Sequence, residues 1–172
     1  LSGAYSQEQD MLKSSPFGAL EFLHWNHDWN SYKYPNKESL VQVVNLMKEA
    51  GVGCVRMDFL WQDIEPLEGQ FNFEKYDFIV ELLNANGIEV LGILNYTADW
   101  AATCGLWNHP PDSNQTFVNF AVSVADRYKG KVKYWEIWNE PDSCVYWSQQ
   151  DCLKRYCGLL KDSYIAIKKI DP

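Results

Sequence analysis

Three times along this sequence, a stretch with apolar residues at helical spacing ends on a glycine and gives way to a near-continuous apolar run. The first spans Lys37 to Ala50, capped by Asn36, with Leu40, Val43, Val44 and Met47 on one face; Gly51 and the run Gly53 to Leu60 follow. The second covers Glu74 to Ala85 with Phe78, Ile79, Leu82 and Leu83, then Gly87 and the run Ile88 to Leu94. The third covers Ser113 to Tyr128 with Phe117, Phe120, Ala121 and Val124, then Gly130 and the run Lys131 to Trp138. A short apolar run, Phe17 to Leu23, precedes them, and a fourth helical stripe of Leu153, Tyr156, Leu160 and Tyr164 closes the series. Glycine in that slot supplies the left-handed residue that stops a helix before a tight turn into a strand. The order βαβαβαβα predicts a parallel sheet with right-handed crossovers, its strands covered on both faces.

Two architectures satisfy that order. A doubly wound nucleotide-binding sheet needs a glycine-rich phosphate loop after its first strand. Here that strand runs into HWNHDWNSYKYPN, which holds neither GxGxxG nor GxxxxGK[ST]. The connections are also asymmetric. Segments leaving the carboxyl ends of the strands are long and rich in Trp, Tyr, His and Asn, whereas returns from helix to strand are expected to be short, one to three residues. That asymmetry belongs to an α/β fold of the (β/α)8 TIM-barrel type, where function sits on the carboxyl-end loops. A complete barrel takes about 250 residues. With 172 residues and four βα units, the expectation is a half-barrel: an amino-terminal arm over residues 1–15, then the first half of a catalytic domain over 16–172.

Charge narrows the partners. The chain has 15 Lys+Arg against 23 Asp+Glu, a net charge of −8, and no basic run or face, which argues against nucleic acid and anionic membranes. Its longest apolar run, Val90 to Leu94, is far short of the roughly 20 residues of a membrane helix. The polar start LSGAYSQEQD does not read as a signal peptide, and secreted and cytoplasmic locations both stay open. The sequons at Asn95 and Asn114 would matter only in a eukaryotic secretory pathway. Five cysteines cannot all pair within the chain. Cys54 reads as a buried small hydrophobe, Cys104 and Cys144 lie in loops, and Cys152 and Cys157 share a helix at a spacing poor for a disulfide. His24, His27 and His109 lack metal-ligand spacing to the cysteines, so neither a metal nor a cofactor is expected.

The carboxyl ends of the four strands collect His24, Trp25, Asn26, Arg56, Asp58, Trp61, Asn95, Tyr96, Trp100, Trp138, Asn139, Glu140 and Trp147. Aromatic faces stack on the C–H faces of pyranose rings, and fixed polar groups read the hydroxyls, so this palette points to a carbohydrate ligand. Aromatic residues make up 15% of the chain, with 8 Trp and 10 Tyr, an excess that such a cleft would use. The sharpest signal is YWEIWNEPD, Tyr134 to Asp142, closing the fourth strand. Strand alternation puts Glu136, Trp138 and Glu140 on one face, with Glu140 at the lip.

With this segment, the sequence resembles the retaining glycoside hydrolases of clan A, the (β/α)8 families that include β-xylosidases, cellulases, xylanases and β-galactosidases. VRMDFLWQDIEPLEGQFNFEKYD (Val55 to Asp77) is similar to the clan's second-strand segment and LGILNYTADWA (Leu91 to Ala101) to its third, so the likeness runs from Pro16 onward. The resemblance implies that Glu140 is the general acid/base, which needs a carboxyl kept protonated by its surroundings. It implies that Asn139 holds the sugar 2-hydroxyl, and that Arg56 orients the nucleophilic carboxylate; a plain ion pair of Arg56 with Glu136 or Asp58 is the alternative. Glu136 reads as structural, and Glu65 as a shaper of the loop leading to the second helix. His24, Trp61, Tyr96, Trp100 and Trp147 are candidates for binding sugar units, with rim packing the alternative for each.

A retaining enzyme needs a second carboxyl about 5–5.5 Å from the first. In clan A this nucleophile is a Glu closing the seventh strand, for which this sequence has no matching position. Three readings follow: the amino-terminal half of a β-glycosidase, a carbohydrate-binding module without catalysis, or a half-barrel completed by a partner chain.

Overall fold

The computed structural model describes residues 15–148 and 152–172. The expected amino-terminal arm lies, but for Ser15, outside the described residues. Four strands, β1 (Gly18–Leu20), β2 (Cys54–Leu60), β3 (Glu89–Asn95) and β4 (Tyr134–Ile137), form one sheet in sequential order β1-β2-β3-β4. β1 and β2 are parallel, with Gly18 opposite Cys54 and Leu20 opposite Arg56. Between and after the strands come α1 (Lys37–Glu49), a one-turn α2 (Trp61–Ile64), α3 (Glu74–Ala85), α4 (Asn114–Arg127) and α5 (Cys152–Ile170). Four βα units in sequential strand order are the repeat of a (β/α)8 barrel.

The glycine punctuation works as the sequence predicts. Gly51, Gly87 and Gly130, which follow α1, α3 and α4, have φ of 75°, 74° and 74°. An added Cβ at Gly130 would meet nothing within 4 Å, so a larger residue there is opposed by the backbone alone. Gly130→Ala is therefore expected to cost about 1–2 kcal/mol, read as a lower urea midpoint with an unchanged slope. At the other end of α1, Asn36 and Ser39 form a reciprocal capping box, with Ser39 N–H donating to Asn36 Oδ1 at 3.0 Å.

Three expectations need correction. β1 and β4 are shorter than the apolar runs that announce them. The return from α4 to β4 takes residues 128–133, longer than the expected one to three, because Val132 is itself a buried anchor and Lys133 pairs with Glu89. The buried stripe of α5 is also rotated: Leu159, Ser163 and Ile167 face inward, while Leu153, Leu160 and Tyr164 are exposed. The inward face includes Gly158, whose missing side chain would sit 3.5 Å from the Asn114 amide, and Ser163. Small residues there let α5 lie close against α4, and Tyr156 anchors the helix by donating its O–H to the Ile137 carbonyl at 3.0 Å.

The chain divides into two compact units, and the boundary falls within β2 and β3 and at the start of β4. The first comprises, of the described residues, 15–57, 74–92 and 131–134. Its core joins Leu40 and Val44 of α1 and Ile79, Val80 and Leu83 of α3 to Val55, Met57 and Val90. In these strand segments Cys54, Arg56, Glu89 and Leu91 are only half-buried, so the expectation of strands covered on both faces does not hold here. The second unit comprises, of the described residues, 58–73, 93–130, 135–148 and 152–172. Its strand segments, residues 58–60 and 93–95, are buried throughout, around a core of Phe59, Trp61, Phe117, Phe120, Val124, Tyr128 and Leu159. No helix among the described residues is long and apolar enough to cross a membrane.

Candidate active site at the end of the fourth strand

β4 ends in an irregular backbone. The sheet continues one residue past Ile137, with Trp138 N–H donating to the Leu94 carbonyl at 2.9 Å, but Trp138 has φ of 68° and Glu140 φ of 44°. Left-handed conformations cost a non-glycine residue about 1–2 kcal/mol each, and strain of this kind gathers at functional sites. It also overturns the expected alternation, because Glu136, Trp138 and Glu140 do not share one uninterrupted strand. The Trp138 ring is buried and its indole N–H donates to the Tyr146 carbonyl at 2.7 Å. The left-handed turn leaves Glu140 exposed, with its carbonyl accepting from Ser143 N–H at 3.0 Å.

Beside it, the end of β3 supplies the polar floor. Asn95 is fully buried and donates its amide to Asp58 Oδ1 at 2.8 Å, and Asp58 is itself buried. The Asn95–Tyr96 peptide is cis. Tyr96 receives the Asn139 amide on its phenol oxygen at 3.1 Å. Burial pushes the Tyr96 phenol well above its usual range; the Asn139 hydrogen bond opposes this, while Asp58, Tyr146 and Glu140 add to the rise. Tyr96 therefore keeps its proton at neutral pH, accepting from Asn139 while holding an O–H to donate.

The other residues named from the sequence divide between the units. In the second unit Tyr96 and Asn139 meet directly. Trp61 is 0% exposed, stacked on Phe120 at 5.3 Å and edge-on to Trp100 at 5.3 Å, so it offers no face to a sugar: a correction to its expected binding role. Glu65 ties this cluster to its loop, accepting from Trp61 Nε1 and from Gly69 N–H, both at 2.7 Å. Trp100 is half-buried and donates its indole N–H to the Glu65 carbonyl at 2.8 Å. Trp147, also expected to meet substrate, is buried between Trp138 and Tyr156, at ring separations of 4.9 and 5.8 Å. In the first unit Arg56 is half-buried on β2, and its carbonyl accepts from Glu21 N–H at 3.2 Å. His24, a further binding candidate, is fully buried against Tyr76 at 5.3 Å and His27 at 5.4 Å, a core position closed to ligand. No group of three or more His, Cys, Asp or Glu among the described residues could hold a metal ion.

Two aromatics that the sequence reading passed over stand beside Tyr96. The Trp107 ring lies edge-on to Tyr96 at 4.8 Å, and Tyr146 stacks nearly parallel to Tyr96 at 6.0 Å. Trp107 occupies the same loop after β3 as Trp100, and Tyr146 follows the NEP segment by a few residues. Both lay within reach of a reading that gave more weight to those two loops.

Comparison with known proteins agrees with this architecture. The family model of glycoside hydrolase 42, β-galactosidase, matches residues 28–116, just over half of the chain. That stretch ends before β4, so Asn139 and Glu140 lie outside it. The chain is 28% identical to the β-galactosidase BgaA of Clostridium cellulovorans, over 73% of this chain and 23% of that protein. It is 32% identical to the β-galactosidase BgaB of a Geobacillus species, over 88% of this chain and 26% of that protein. The chain thus spans about a quarter of the length of these relatives. Among solved structures, a family 39 glycoside hydrolase from the gut symbiont Bacteroides cellulosilyticus superposes with a TM-score of 0.71 at 24% identity, over 96% of this chain and 31% of that one. The likeness extends the shared fold to all four βα units. By its family match, this chain belongs to the β-galactosidase family glycoside hydrolase 42, within the TIM-barrel glycosidases of clan A.

Proposed function

We propose that the protein hydrolyses the O-glycosidic bonds of β-linked saccharides by a retaining double displacement, with Glu140 as general acid/base. The observation that carries this reading is the pairing at the end of β4: an exposed Glu140 carboxyl follows directly on Asn139, whose amide is fixed by the protonated Tyr96 phenol. An immobilised amide is what a sugar 2-hydroxyl needs if its contact is to strengthen at the oxocarbenium-like transition state. Glu140 protonates the departing oxygen in the first step and deprotonates water in the second. The nucleophilic carboxylate is supplied by a part of the natural protein outside these 172 residues, in keeping with relatives about four times as long. The nearby carboxylates have other work: Glu65 accepts from Trp61 and Gly69, and Asp58 from Asn95. Trp100 is assigned to border the cleft.

Given the family, a β-galactoside is the first substrate to try. Incubation of the full-length natural product with an aryl β-galactoside, followed by proton NMR, is expected to show the β-anomer of the released sugar first. An α-anomer as the first product would exclude the double displacement. An absence of hydrolysis across aryl β-galactoside, β-xyloside and β-glucoside would remove the glycosidase reading.

A further inference from the structure

We propose that Asp58, buried on β2, is a positioning residue for Asn139: its carboxylate holds Asn95, and through the Asn95–Tyr96 backbone it sets where the phenol oxygen that receives the Asn139 amide stands. This role rests on the glycosidase reading of Asn139 and extends it to two buried side chains. All four residues belong to the second unit. Asp58 is 3% exposed and Asn95 0%. A carboxylate is kept out of water only where hydrogen bonds compensate, and Asp58 Oδ1 accepts one from the Asn95 amide at 2.8 Å. The bond crosses from β2 to the last residue of β3, near the carboxyl ends of both strands.

One bond fixes the Asn95 amide. Its Oδ1 is buried with no hydrogen-bond partner among the described residues, so Asp58 decides which way the amide faces; a half-turn would set that oxygen against the carboxylate. Packing alone gives no reason for an Asn here, because an apolar residue of similar size would leave no buried acceptor unsatisfied. The adjoining backbone is pinned on either side: the Leu94 carbonyl accepts from Trp138 N–H, and Thr97 N–H donates to the Trp107 carbonyl, both at 2.9 Å. The bond to Asp58 secures the stretch between them, from which the Tyr96 side chain leaves. That ring is boxed in by Trp107 at 4.8 Å, Trp138 at 5.4 Å and Tyr146 at 6.0 Å, so a shift of its backbone carries the phenol oxygen along. The oxygen lies 3.1 Å from the Asn139 amide, near the long end of a good hydrogen bond, and an outward move of about half an ångström breaks it. Besides burial, which dominates, the Asp58 charge also holds this phenol in its protonated form.

The test compares two substrates that differ only at the 2-hydroxyl, in the full-length protein: the aryl β-glycoside that the parent hydrolyses fastest, and its 2-deoxy counterpart. The readout is kcat/KM. Asn139→Ala calibrates the contact and should slow the 2-hydroxy substrate far more than the 2-deoxy one. Asp58→Ala and Asn95→Ala are each expected to slow the 2-hydroxy substrate about 10–100-fold and to leave the 2-deoxy substrate close to the parent rate. Combined with Asn139→Ala, either should add no more than about a twofold loss. If Asp58→Ala does not fold, as judged by circular dichroism, Asn95→Ala carries the comparison, since it leaves the carboxylate in place. Equal losses on the two substrates, or parent rates in a folded variant, would overturn the positioning role and leave the glycosidase reading intact. A parent that hydrolyses neither substrate, or an Asn139→Ala that slows both alike, would overturn the reading of Asn139 and the role of Asp58 with it.

Discussion

Glu140→Gln is expected to slow hydrolysis of an alkyl β-glycoside or a natural disaccharide by about 10²–10⁴-fold, the range supplied by a positioned acid/base. The substitution removes the proton donor while keeping the shape and polarity of an exposed side chain, so the fold has no reason to respond. The size of the loss should depend on the leaving group. A nitrophenolate departs without protonation, so the first displacement survives and the glycosyl intermediate accumulates, giving a burst followed by slow turnover. Azide needs no general base and should restore turnover of that activated substrate, with a β-glycosyl azide as product. Equal losses on alkyl and nitrophenyl substrates, or wild-type rates on both, would take the acid/base role away from Glu140. The left-handed backbone at this residue makes a second check available. If the turn serves to aim the carboxyl, Glu140→Asp, which pulls the group back by one methylene, should also lose most of the activity.

Trp61→Ala is expected to be the most damaging of the single substitutions in the second unit. Removing this fully buried indole opens a cavity between Phe117, Phe120 and Trp100, worth about 3–5 kcal/mol. It also takes away the donor to Glu65 Oε2, and an acceptor left unpaired in a buried site costs about 1–3 kcal/mol more. Against a total stability of about 5–15 kcal/mol, such a protein would be largely unfolded under mild denaturation. Trp61→Phe separates the two contributions. It keeps most of the volume, so the expected loss is chiefly that of the hydrogen bond, seen as a modest drop in melting temperature. Were Trp61 instead a sugar-binding surface, the Phe variant would retain stability and lose substrate affinity.

The contrast between Trp61 and Trp107 shows what could be read from the chain alone. Helix ends were legible because their causes are local: Asn36 and Ser39 cap each other across a single turn, and Gly51, Gly87 and Gly130 adopt the left-handed turn that only glycine takes cheaply. The βα order followed from those stops and from the spacing between them. The position of Asn139 and Glu140 just past β4 followed for the same reason, since the apolar run Lys131 to Trp138 leads directly into them.

Which aromatic faces water was not legible, because composition and periodicity assign a Trp to a loop without saying which neighbours will cover it. Trp61, Trp107 and Trp147 are alike as residues. One is closed off by Phe117 and Phe120, another by Trp138 and Tyr156, and the third stays open because two hydrogen-bonded loops hold it at their edge. The rotation of α5 has the same origin. Its apolar residues allow two adjacent stripes, and the choice went to the one with Gly158 and Ser163, which permits close approach to α4. Local chemistry thus set the element order and the helix stops. The buried face of α5, the fate of each tryptophan and the Asn139–Tyr96 contact depended on packing between residues far apart in the chain, whose energies no local pattern contains.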